Sequence, residues 1–124
     1  MASYQNTSPT ALADELVVVT SLSATSQDNV TGTAAGIIHL IEVDNTVNEE
    51  IGIYLKLVDA SSATAGTTQP DFRLYIPPGL KLCYTFPNGH AYSNGVSLWA
   101  TTNPEHTSKD HTGTSAPLRL VVTA

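Results

Sequence analysis

This sequence predicts an all-β chain folded as a single antiparallel β-sandwich of jelly-roll-like form, preceded by an irregular N-terminal arm. Three observations carry the prediction. Apolar residues recur with period two: Ile51, Ile53, Leu55 and Leu57 share one phase, then Phe72, Leu74 and Ile76, then Leu80, Leu82, Tyr84 and Phe86. Gly, Pro and Asn clusters punctuate these runs at regular intervals, giving about seven or eight short strands. Helical periodicity never extends beyond a turn or two. With 124 residues there is room for one core and not for two.

Residues 1–14 are rich in Ser, Thr, Asn and Ala with Pro9, the composition of an arm that is ordered only where it docks. The sandwich occupies 15–124. Glu15 to Thr20 is a β-branched strand, and Ser21 to Gly36 is a Ser/Thr/Gly-rich connection with room for a short edge strand near Val30. Ile37 to Val43 places Ile37, His39, Ile41 and Val43 on one face and Ile38, Leu40 and Glu42 on the other. Both faces are apolar enough for a central strand. Asp44-Asn45-Thr46 turns into a strand over Ile51 to Val58, and Asp59 to Pro70 is a loop of small residues.

Asp71 to Ile76 and Leu80 to Phe86 flank Pro77-Pro78-Gly79, which reads as a hairpin turn: proline sets φ and Gly79 permits a positive φ. Pro87-Asn88-Gly89 and Ser93-Asn94-Gly95 read as the next two turns. Val96 to Thr102 is a strand, Asn103 to Ala116 a second exposed loop, and Leu118 to Thr123 the last strand. The repeated apolar phase predicts a core of Leu55, Leu57, Leu74, Ile76, Leu82, Phe86, Leu98, Leu120 and Val122.

Composition narrows the function. The chain is 41% hydrophobic but only 13% charged, about half the share usual in soluble domains, which suits a surface that lies against other proteins. Net charge is −6, and the five basic residues are scattered singly, so neither nucleic acid nor anionic membrane is an expected partner. No apolar run is long enough to span a bilayer and no signal-peptide pattern opens the chain, which predicts synthesis in a cytoplasm. Cys83 cannot staple the fold alone and reads as an inert, buried thiol.

Chemistry-bearing patterns are sparse. His106 and His111, with Glu105 and Asp110, form the one cluster with metal-ligating residue types, but its spacing is that of a polar loop rather than a zinc helix or finger. His39 reads as a histidine bonded within a core or interface, and His90 as an exposed turn residue. There is no G-x-S-x-G elbow, no phosphate-binding glycine loop and no ordered calcium loop. No enzyme and no cofactor are expected. Tyr54, Tyr75, Tyr92 and Trp99 fall opposite to the apolar phases, which suits either outward interface aromatics or the second face of a sandwich strand covered by a loop.

The order Gly52-Ile53-Tyr54-Leu55-Lys56-Leu57-Val58-Asp59-Ala60, then Gly66-Thr67-Thr68-Gln69-Pro70, Leu74 to Gly79, Phe86-Pro87-Asn88-Gly89 and Tyr92-Ser93-Asn94-Gly95 resembles small β-sandwich head proteins of tailed bacteriophages. These are capsid decoration (cement) proteins and head-fibre modules. The resemblance implies a virion protein on the capsid exterior, a homotrimer whose partner is the major capsid protein and whose role is to bridge and stabilise shell subunits. Candidate contact residues are then Tyr4 and Pro9 in the arm, Ala65 and Thr67 in the first loop, Tyr92 and Trp99 as outward aromatics, and His106 and His111 in the second loop. A receptor- or carbohydrate-binding module of a fibre or adhesin is the competing expectation. Its sugar platform would have to come from Trp99, Tyr92, His90 and Asn94.

Overall fold

The computed structural model describes residues 15–105 and 116–123. Among them are seven strands and no helix: β1 (Glu15–Val19), β2 (Gly36–Asp44), β3 (Ile53–Val58), β4 (Phe72–Ile76), β5 (Lys81–Tyr92), β6 (Ser97–Thr101) and β7 (Leu118–Thr123). They form two antiparallel sheets, one of four strands in the order β1-β7-β2-β5 and one of three in the order β4-β3-β6. β2 is central, as its two apolar faces predict. Residues 23–30 run beside β6 through a single bridge, Gln27 to Leu98, in the place an eighth strand would take. Counting that segment, the connections wrap between the sheets as in a jelly roll.

The inward residues of both sheets interdigitate. Val17, Ile38, Ile41, Val43, Ile53, Leu55, Leu57, Ile76, Leu98, Leu118, Leu120 and Val122 form the core, with Leu74, Leu82 and Phe86 packed half-buried at its margin. Each fully buried aliphatic side chain contributes about 1.5–3 kcal/mol.

Four features differ from the sequence reading. Pro77-Pro78-Gly79 joins no hairpin: β4 lies in the three-stranded sheet and β5 in the four-stranded one, so the turn carries the chain across the sandwich. Gly79 does take a positive φ of 70°. Pro87-Asn88-Gly89 is not a terminal turn either. It lies within β5 as a bulge, because Thr85 pairs with Leu40 and His90 with Ile38, leaving Phe86 to Gly89 opposite His39 alone.

His39 is itself an extra residue against β7, where Ile38 and Leu40 face the consecutive Val122 and Val121. The bulge reverses the side-chain phase, so Ile38 joins Ile41 and Val43 inside while Ile37 is exposed. His39 Nε2 lies 2.7 Å from the Thr123 hydroxyl. Finally, Cys83 is exposed on the outer face of β5, opposite in phase to the inward Leu82.

Candidate functional site

Two turn segments meet at one end of the sandwich, residues 45–52 between β2 and β3 and residues 77–80 between β4 and β5. Asn45 stitches them together. Its buried side-chain amide donates to the carbonyls of Ile51 at 2.9 Å, Pro77 at 3.1 Å and Ile76 at 3.3 Å, and its Oδ1 accepts from Asn48 Nδ2 at 2.8 Å. Backbone bonds complete the seam, from Asn45 N to Leu80 O at 2.9 Å and from Gly79 N to Asn48 O at 2.8 Å. With its polar groups so occupied, the seam holds its shape without a partner.

Apolar side chains point outward from this rigid frame. Val47 is 49% exposed, Ile51 39% and Leu80 47%. Exposed Tyr75 lies against Gly52, where a Cβ would come within 2.4 Å of its hydroxyl, and stacks on Tyr54 at 4.8 Å between ring centroids. Acidic residues belong to the same stretch of chain: Glu49 and Glu50 are exposed, and Asp44 stands at the end of β2. The Thr46 hydroxyl and backbone N–H both donate to Asp44, at 2.5 and 3.0 Å, and hold its carboxyl below the usual carboxylate range, with a smaller contribution from Lys81. Lys81 is itself paired with Glu42 at 3.3 Å. This end of the sandwich therefore carries exposed apolar side chains together with exposed carboxylates.

Val47 and Leu80 are exposed apolar residues that the strand pattern does not single out as surface. Leu80 and Ile51 extend apolar strand phases in the sequence, but both fall outside the strands, and Val47 sits in a turn with no core phase to serve. An apolar residue inside a turn was the available signal.

The residues singled out from the sequence scatter differently. Trp99 and Tyr92 are corrected from outward contacts to buried residues, at 0% and 3% exposure. Tyr92 sits at the end of β5 with its hydroxyl 3.3 Å from that of Thr33. Trp99 does point away from the core, beside Lys56 on β3, but the outer face of the three-stranded sheet is covered there. Lys56 is fully buried as well, and its Nζ donates to the backbone carbonyl of Glu105, in the segment that follows β6. No acceptor for Trp99 Nε1 lies among the described residues.

His90 is not in an exposed turn: it is half-buried in β5, edge-on to Phe72 at 5.1 Å and against Phe86 at 5.7 Å. With Trp99 and Tyr92 buried, the sugar platform considered above does not form. Ala65 and Thr67 lie in the loop between β3 and β4, where Ala65 borders a shallow cleft of about 460 Å³ with Ala24, Thr25 and Thr64. The opposite end of the sandwich is tied by Asp59, whose carboxylate accepts from the backbone N–H groups of Ser93 and Asn94 at 3.0 and 2.8 Å. Tyr4, Pro9, His106 and His111 lie outside the described residues.

Among the described residues no group of three or more His, Cys, Asp or Glu side chains converges as a metal site would require. Nor is any helix among the described residues long and apolar enough to cross a membrane. Comparison with protein-family models, with curated proteins and with solved structures finds nothing that matches this chain.

Proposed function

We propose that this protein is a structural virion component that binds the outside of an assembled phage capsid and stabilises it by bridging major-capsid subunits. The observation that supports a binding role is the preorganised end built on Asn45, which leaves Val47, Ile51, Leu80 and Tyr75 exposed on segments that also carry the exposed Glu49 and Glu50. Apolar groups held rigid in water lose little conformational freedom on contact, so their burial is available to the complex. The partner they fit is a protein surface with an apolar recess and a basic rim. The capsid as that partner, and a homotrimer as the working assembly, rest on the resemblance of residues 52–95 to head decoration proteins. Contacts that bridge shell subunits favour the assembled state by mass action.

The test is co-sedimentation of the full chain with purified capsids that lack it. Wild type should pellet with shells in a fixed ratio and raise the temperature at which they release DNA, and Val47→Asp/Leu80→Asp should bind at least about tenfold more weakly while remaining folded. Shells that leave the wild-type chain in the supernatant, or that bind the double variant equally well, would overturn the proposal.

A further inference from the structure

An asparagine can react with its own backbone when the nitrogen of the next residue reaches its Cγ, and a side chain on that next residue obstructs the approach. Asn29, Asn45 and Asn48 precede Val30, Thr46 and Glu49, and Asn103 precedes Pro104, which has no N–H to lose. Asn88 and Asn94 precede glycine. The two dipeptides are chemically identical, so a large difference between them in the native protein comes from the fold.

The bulge in β5 holds the first pair. Asn88 is exposed, and Phe86 to Gly89 stand opposite His39 alone, with the ladder intact at Thr85↔Leu40 on one side and at His90↔Ile38 on the other. Rotating Asn88 therefore breaks no register step. The glycine beside it is required by the fold: φ is 73°, and Ile37 Cγ2 lies 2.3 Å from where a Cβ would stand, so position 89 disfavours any side chain. The bulge thus keeps next to Asn88 the one residue that leaves it open to attack.

The second pair is clamped. Asn94 N–H donates to Asp59 Oδ1 at 2.8 Å, Ser93 N–H to the same carboxylate at 3.0 Å, and Asn94 Nδ2 to Ser93 Oγ at 3.4 Å. Gly95 is buried, with Asn29 Oδ1, Ser61 Cα and the Ala60 carbonyl oxygen 3.0, 3.3 and 3.4 Å from where a Cβ would stand. Turning Asn94 would break these bonds, and the Asp59 charge opposes loss of the proton from the adjoining Gly95 nitrogen.

We propose that Asn88 is a site of spontaneous deamidation in the folded protein and that Asn94 is protected from the same reaction. The Gly89 nitrogen gives its proton to solvent and attacks Asn88 Cγ. The new C–N bond closes a succinimide ring as the Cγ–Nδ2 bond breaks, and the amide nitrogen leaves as ammonia with a proton returned from solvent. Water then opens the ring. Hydrolysis at Cγ gives aspartate at position 88, whereas hydrolysis at the main-chain carbonyl gives isoaspartate, whose backbone runs through the former side chain and is one methylene longer. Each event adds one negative charge to a chain of net charge −6, and the extra length falls where β5 is already out of step with β2.

Chymotryptic peptide mapping separates the two sites at Tyr92, so one sample of the full chain reads both by mass spectrometry. In heavy-oxygen water each converted asparagine should gain about 3 Da, about 1 Da from the change of amide to acid and the rest from the labelled oxygen. At about pH 8.5 and about 37 °C the folded chain should convert Asn88 at least about tenfold faster than Asn94, and in about 6 M guanidinium chloride the two rates should come within about threefold of each other. Asn88→Gln, which would have to close a larger and slower ring, should keep the circular dichroism melt and abolish the acidic species that accumulates on ion exchange. An Asn88 that stays unmodified in the folded chain while the unfolded chain converts overturns the inference. So does an Asn94 that reacts as fast as Asn88 in the folded chain, or an acidic species that persists in the glutamine variant.

Discussion

Tyr84 shows how much one side chain can tie together. It projects inward from β5 and donates its hydroxyl to the Tyr75 carbonyl of β4, so one phenol links the edges of both sheets. Burial pushes its pKa above the ordinary phenol value. A group whose pKa rises on folding stabilises the fold while it stays protonated, fully below the unfolded value of about 10, and that contribution is lost as pH climbs through the folded value. Urea unfolding from pH 8 to about 11.5 should therefore show wild type losing stability more steeply than Tyr84→Phe above about pH 10, with the variant about 1 kcal/mol less stable at pH 8. Parallel curves would remove the phenol from this role. The inward phase of Tyr84 was legible in the sequence, but its acceptor, nine residues earlier on the other sheet, was not.

Among the elements, β5 departs furthest from its pattern. Pro87-Asn88-Gly89 has the residues of a turn, yet pairing resumes at His90 because β2 offers Ile38 and Ile37 to continue the ladder. Gly89 makes that possible. Its φ is 73°, and a Cβ there would come within 2.3 Å of Ile37 Cγ2. Gly89→Ala should cost about 1–2 kcal/mol, read as a lower unfolding midpoint with an unchanged far-UV spectrum. A variant as stable as wild type would mean that the bulge relaxes freely. The same bulge explains why alternation over Ile37 to Val43 assigned Ile38 to the wrong face: every residue but His39 and Glu42 is apolar, so nothing in the side chains marks where the phase reverses.

At the scale of the whole molecule, the two sheets share one core and are laced together by the Asn45 seam at one end and the Asp59 carboxylate at the other. Such a chain should unfold as one unit. Trp99, the single tryptophan, reports on the outer face of the three-stranded sheet, whereas far-UV circular dichroism reports on both sheets. Their urea transitions should coincide, and Trp99 should resist quenching by acrylamide until that midpoint is reached. A tryptophan signal that changes well before the circular dichroism would show the cover over Trp99 opening independently.

What the amino-acid order determined by itself is the material of the fold: strands where apolar residues alternate, turns at the Gly, Pro and Asn clusters other than Pro87-Asn88-Gly89, and the inward set of Leu55, Leu57, Ile76, Leu98, Leu120 and Val122. These are local properties, because side-chain alternation and turn dihedrals depend on a few consecutive residues. Tertiary structure decided which sheet each strand joins, and with it the surface. Pro77-Pro78-Gly79 is compatible with a hairpin or a crossing, and only the pairing of β4 with β3 and of β5 with β2 selects the crossing. Trp99 alternates outward as the sequence predicts, but exposure depends on what lies over a sheet face, a contact between residues distant in the chain. For the same reason the apolar tip of Val47, Ile51 and Leu80 exists only once Asn45 has drawn two separate turns together.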